Sequence, residues 1–398
     1  MKVHRYFLGA LGVIAAASVA IFGAASSSAH SARAAAAACK ASINIEAPFA
    51  TGPATQLGAE QLHFAELAVA MGNKANKTQI TMGQSDTGLN PSLATTRTKA
   101  IIASKAVGAI GPAGSQEVNA VGPLYAKAGM AFISGSATLP ALATSGANKT
   151  FFRVVPDDNI QGPNDAHYII NHKLAPAGST ILIVDDQEAY SQGLVTVMSP
   201  ILSAAGFTVD HESYNGNDTG ATLQNDLSAL ATAHINSNVH VVIVPWQSAG
   251  NAQLFGQTIQ AEGKSVTLFG TDGTDSPGQF VIPGTYVSNF GPDISTSSSA
   301  LDKSIVSGIA KYGPYGAFGV PTWQATTVMM DAIASVCKSG KAPTRALVLA
   351  AVKKTNIPAS KSPEGVSIAF QKDGDLKASA GYLFFVNKQG AYVEIGDK

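Results

Sequence analysis

Cysteine, charge and aromatic side chains are all scarce in this 398-residue chain, which has two cysteines, 13% charged residues and 7% Phe, Trp and Tyr. Two cysteines exclude a disulfide-scaffold miniprotein and are too few for a zinc site built on thiolates alone. The 26 Lys and Arg balance 26 Asp and Glu without forming a basic cluster, so the positive footprint of a nucleic-acid binder is missing. No Gly-x-Ser-x-Gly element lies between a strand and a helix. Gly111-Pro112-Ala113-Gly114-Ser115 is followed by no Lys-Ser/Thr pair, so it is no P-loop, and it does not complete a dinucleotide fingerprint. The eight His are scattered, and none pairs at the i, i+4 spacing of a helical metal site. His167 and His172, five apart, read as helix surface. Neither a catalytic constellation nor a cofactor or metal centre is expected.

A large hydrophobic fraction, 45%, is present instead, enough for more than one domain with its own core. Residues 1–38 carry no acidic residue and open with Lys2 and Arg5 before an apolar run from Tyr6 to Ala25 and an Ala- and Ser-rich stretch, which reads as a signal peptide. Its removal, with Lys2, Arg5 and Arg33, leaves a net charge of −3. No later segment has the length and apolarity of a membrane span. The mature protein is expected outside the cytoplasm.

From Ser42 onward short apolar strands alternate with helical periodicity. Strands are expected at 43–47, 79–82, 107–110 and 130–133, with helices at 59–71, 90–103 and 117–127 between them. A second series holds strands at 180–184, 239–244 and 266–269 and helices at 161–172 and 192–205. After 286–290 come helices at 298–312, 322–336 and 344–353, then a hairpin at 382–395. This pattern predicts an α/β fold of two doubly wound parallel-sheet lobes. Lobe 1 is expected to hold 41–156 plus 287–378 and lobe 2 to hold 157–286 plus 379–398. The three crossings, near Pro156, Phe290 and Ala378, make a hinge.

Open parallel sheets bind ligands beyond the carboxyl ends of their strands. Ser115 follows one such end at a helix start, where hydroxyls and free N–H groups suit a carboxylate. Ser134, Ser136 and Thr138 follow another. Tyr190 and Asp272 stand at equivalent places in the second series. Asp185-Asp186 also ends a strand, where an acidic pair either binds a divalent ion or caps the next helix.

Several short motifs resemble the leucine/isoleucine/valine-binding family of extracytoplasmic solute-binding proteins, which serve ATP-driven importers and share the periplasmic-binding-protein type I fold. They are Thr51-Gly52-Pro53 with Gly58, Ile110-Gly111-Pro112, Ile133 to Thr138, Phe152-Arg153 leading to Gln161-Gly162-Pro163, Asp185-Asp186 with Tyr190 to Leu194, and Phe269 to Gly273. Their order runs through nearly the whole mature chain. The resemblance implies that Ser115, Ser136 and Thr138 hold a ligand α-carboxylate, that Asp272 meets the α-ammonium, and that Tyr190 helps close the cleft. Three positions depart from the family pattern. Leu57 stands where an aromatic can wall the side-chain pocket, Pro245 to Ser248 bring Trp246 or Gln247 near the ligand, and Asp272 is one methylene shorter than the Glu often found there. Trp323 reads as core. The implied partners are a small amino acid or an analogue and the permease subunits of an ABC transporter, with the binding protein itself a monomer. An aromatic acid, an amide or a short peptide remains open as ligand, as does a role as sensor for a membrane receptor.

Three states are open for the cysteines. Ala36-Ala37-Ala38-Cys39 loosely fits a lipid-attachment site, which would anchor an exported chain at the cell surface rather than leave it free in the periplasm. Alternatively, Cys39 lies just before the first strand and Cys337 closes a helix running back toward that strand's start, so an oxidising compartment would favour a Cys39–Cys337 disulfide. Two free thiols are the third.

Overall fold

A computed structural model describes residues 39–378 and 381–396; the expected signal peptide, 1–38, lies outside them. The chain runs β1 (Cys39–Ala47), α1 (Thr55–Asn76), β2 (Thr78–Asp86), α2 (Pro91–Ala103), β3 (Gly108–Ile110), α3 (Ser115–Ala128), β4 (Ala131–Ser134), α4 (Ala141–Thr144) and β5 (Phe151–Arg153). These strands form one parallel sheet in the order β2-β1-β3-β4-β5. The chain continues with α5 (Asp158–Asn171), β6 (Thr180–Asp185), α6 (Ala189–Ala204), β7 (Thr208–Ser213), α7 (Gly220–His234), β8 (Val239–Val244), α8 (Ala249–Ala261), β9 (Thr267–Gly270) and β10 (Tyr286–Asn289). Then come α9 (Ala300–Ile309), α10 (Gly319–Lys338), α11 (Arg345–Val352), β11 (Leu383–Lys388) and β12 (Ala391–Ile395). The second sheet has the order β12-β11-β10-β9-β8-β6-β7, and β11 runs antiparallel to both neighbours.

This is the two-sheet α/β architecture expected, a periplasmic-binding-protein type I fold, with one boundary moved. β10 pairs with β11 over its whole length and with β9 at Tyr286 and Val287, so 287–289 belong with the second sheet and the chain crosses back after Asn289. Val287 is itself part of the second sheet's core, which ties β10 there.

Each sheet is apolar on both faces because helices cover both. In β4, Phe132 packs with Val118, Tyr125 and Phe151 on one face. Its neighbour Ile133 packs with Met329, Ile333 and Val348 on the other. Thus α10 and α11, far along the chain, complete the first sheet's core. Trp323 lies buried in α10 beside Phe64 and Ile305, a core residue as expected. At the first crossing, Arg153 is fully buried. Its Nε donates to Asp375 Oδ1 at 2.6 Å and its Nη1 to the Leu139 carbonyl at 2.9 Å, so the end of β5 is tied to two loops.

Cys39 and Cys337 form a disulfide with a Cα–Cα distance of 5.7 Å, joining the start of β1 to the end of α10. A sulfur so bonded has no thiol left to carry a lipid, which removes the proposed anchor at Cys39 and the free-thiol alternative together. Among the described residues no helix is long and apolar enough to cross a membrane.

Candidate functional site

The loop after β3 begins at Gly111, whose φ of +88° and close approach to the Glu46 carbonyl leave no room for a side chain; a Cβ would sit 2.1 Å from that oxygen. The chain there turns sharply into α3, and Glu117 Oε2 accepts from the Gly114 N–H at 2.9 Å to cap the helix start. Ser115 is the first residue of α3; its Oγ accepts from the Leu139 N–H at 3.3 Å. Beyond β4, Ser134 Oγ donates to the Pro112 carbonyl at 2.8 Å and accepts from the Ala137 N–H at 3.0 Å, stapling the two loops together. Ser136 Oγ donates to the Ala113 carbonyl at 2.8 Å and accepts from Gln61 Nε2 at 2.9 Å.

Opposite these hydroxyls stand side chains of the second sheet's unit. Asp272, in the turn after β9, is buried; its Oδ1 accepts from Tyr190 Oη and from Gln161 Nε2, each at 2.6 Å. Tyr190 Oη also lies 2.7 Å from Thr271 Oγ1. Burial pushes the Asp272 carboxyl up to about 6, against the lowering effect of its Tyr190 and Gln161 bonds. Behind it on one face of α5, Asp158 and Asp165 are also fully buried, and burial drives both well above the usual carboxylate range.

Between the two sets lies a cavity. Leu57, Leu89, Ala113, Ser115, Ser136 and Phe318 line it from the first unit, and Tyr190, Gln247, Asp272 and Gly273 from the second. Its volume is about 10 Å³, room for a single water. Gln116 Nε2 in α3 donates to Gln247 Oε1 at 2.9 Å, bridging the two units across the gap.

Six of the eight residues singled out in the sequence thus line one cavity: Leu57, Ser115, Ser136, Tyr190, Gln247 and Asp272. Two do not. Trp246 is a core residue of the second unit, packed on Tyr214 and Phe255 at ring separations of 4.5 and 5.5 Å, with its indole N–H donating to the Val184 carbonyl. Its backbone alone approaches the site: a Cβ on Gly273 would meet the Trp246 carbonyl at 2.3 Å. Thr138 is fully buried and turned to α5, its carbonyl accepting the Asp158 N–H at 3.1 Å and its hydroxyl beside that carboxyl.

Gln161, Gln116, Leu89 and Phe318 went unrecognised as site residues. Gln161 alone had a local signal, as the polar residue of a recurrent motif in the first turn of α5. Asp185 and Asp186 do not cap α6, which starts at Ala189 without a side-chain cap; they brace the loop before it, Asp185 Oδ1 accepting from the Gln187 N–H and Asp186 Oδ1 from the Glu188 N–H. Away from the cavity, Asp210 and Glu212 of β7 and His234 of α7 bring potential metal-ligand atoms within 4.8 Å of one another. His234 Nδ1 lies 3.1 and 3.3 Å from the two carboxylates, so the three groups already serve one another as partners.

Known proteins share this fold. The leucine-, isoleucine-, valine-, threonine- and alanine-binding protein of Pseudomonas aeruginosa is 26% identical over 338 residues, 82% of this chain and 85% of that one. The substrate-binding protein of a branched-chain amino acid transporter from Streptococcus pneumoniae, solved with isoleucine, superposes with a TM-score of 0.75 at 20% identity over 89% of this chain and all of the other. A solute-binding protein from R. palustris, solved with benzoate, superposes with a TM-score of 0.74 at 19% identity over 90% of this chain and 96% of that one. Residues 48–391, which include every group lining the cavity, match a single family description, and the resemblance read from the motifs is borne out: the chain belongs to the periplasmic binding protein family.

Proposed function

We propose that this chain is the extracytoplasmic solute-binding component of an ATP-driven importer and that it captures an α-amino acid between its two units. The observation that carries this reading is the facing of neutral hydroxyls at the start of α3 against a buried carboxylate, Asp272, across one small cavity. A zwitterion satisfies both sides at once. Its carboxylate meets Ser115, the free N–H groups of a 14-residue helix and Ser136, whose one proton turns from the Ala113 carbonyl to reach it. Its ammonium meets Asp272, which is otherwise left buried without a cation.

Because the two charges are met from different units, only a closed arrangement offers both contacts, so binding shifts the population toward closure. A space of about 10 Å³ cannot admit an amino acid from solvent, so the units must part to load and close to hold. The closed form is then the shape that membrane permease subunits recognise.

A thermal-shift screen of the mature chain against amino acids and aromatic acids tests the reading. α-Amino acids should raise the melting temperature, and the same carbon skeletons without the amine should not. The benzoate-bound relative makes the contrary outcome concrete: equal stabilisation by an aromatic acid would assign the site to anions lacking an amine.

A further inference from the structure

A second cavity adjoins the first and shares four lining residues with it, Leu57, Gln247, Gly273 and Phe318. Of its six other lining residues, Glu60, Asp275, Ser276 and Gln279 are polar. Glu60 enters from α1 and Asp275 from the turn after β9, so carboxylates of the two units converge on one space. Glu60 is fixed there: its carboxylate accepts the N–H groups of Gly316 at 2.7 Å, Phe318 at 2.9 Å and Gly319, at the start of α10. Asp275 is only 7% exposed. Its Oδ2 accepts from Asn289 Nδ2, and no described residue bonds Oδ1.

The charges do not balance. Asp272, Asp275 and Glu60 line the two joined cavities, and no Lys, Arg or His lines either. An α-carboxylate adds a fourth anion, and a single α-ammonium offsets only one. A methylene chain running from the α-carbon would pass between Leu57 and Phe318, the apolar residues common to both cavities, and reach Asp275. Branched methyl groups in that position would cover Asp275 without pairing it, which is costly for a buried acid.

We propose that the cleft is built for an α-amino acid whose side chain ends in a second cation, seated on Asp275 with Glu60 behind it. This rests on the reading that Asp272 receives the α-ammonium. Burial, and for Asp275 the neighbouring Glu60 charge, push both carboxyls up to about 7, as expected of two acids facing one another without a cation between them.

Titration calorimetry of the mature chain at pH 8 with two matched pairs, L-lysine against L-norleucine and L-ornithine against L-norvaline, tests it. Within at least one pair the dibasic member should bind about tenfold or more tightly than its apolar counterpart. Asp275→Asn should cut that affinity about tenfold or more and so erase the preference. Norleucine and norvaline binding as tightly as their dibasic partners to the unmodified chain would overturn the proposal while leaving the Asp272 reading standing. Binding of none of the four would overturn both. The comparison within pairs uses the unmodified protein, so it does not depend on the variant folding.

Discussion

The two sides of the cavity at Asp272 are built on different principles. On the first unit's side, polar groups are already satisfied: Ser136 makes two hydrogen bonds and Ser134 ties its loop to Pro112, so the hydroxyls are held in place before any ligand arrives. On the second unit's side, charge is buried and unmet, with Asp272 bonded through one oxygen to Tyr190 and Gln161 and no basic residue beside it. A preorganised neutral surface orients a ligand at little cost, whereas a buried acid without a counter-ion discriminates, because every wrong ligand leaves it unpaired. Selectivity should therefore lie mainly on the acid side.

Three measurements sharpen that contrast. Asp272→Asn, isosteric but uncharged, should weaken an α-amino acid by about a hundredfold or more, since breaking a buried charge pair costs about 3–5 kcal/mol. Calorimetry showing an unchanged Kd would move the ammonium elsewhere. Ser136→Ala should cost less, about tenfold, the value of one hydrogen bond to a charged group, and should weaken tight and weak ligands alike. A loss there exceeding that of Asp272→Asn would invert the comparison.

The smallest effect expected is that of pH. The Asp272 carboxyl of the free protein titrates near 6, above its unfolded value, and an ammonium pairs with the ionised form. For an α-amino acid with an uncharged side chain, affinity should be flat above pH 6 and fall by about tenfold per unit below it, because binding must then release a proton. In Asp272→Asn the slope should flatten. The unliganded fold carries the opposite sign from this group. Its stability contribution is full below the unfolded pKa near 4 and declines as pH rises toward 6, so ligand should stabilise most above that interval.

Much of this was legible because parallel strands buried on both faces announce themselves as continuous apolar runs, as Val239–Val244 does. β7 did not, because an edge strand reading Thr-Val-Asp-His-Glu-Ser is half exposed and resembles a loop. α7 and α8 also went unassigned. The disulfide could be placed once topology put both cysteines at one end of the first sheet. Trp246 and Gln247 show where sequence runs out. Both follow β8, and only the packing of Tyr214 and Phe255 turns the first inward and leaves the second to the cleft. Spacing failed in the same way for Ser136 and Thr138, two residues apart in a loop rather than a strand, where alternation no longer decides direction. Phe318 was hidden in a stretch rich in Gly and Pro, and the Glu60–Asp275 convergence joins residues more than 200 apart in sequence.

The most direct measurement is a crystal structure of the mature protein with the ligand that co-purifies with it. The account predicts one molecule between the two sheets, its carboxylate at Ser115 and Ser136 and its amine within hydrogen-bond distance of Asp272. A compound bound outside this gap, or one that turns no amine toward position 272, would contradict it.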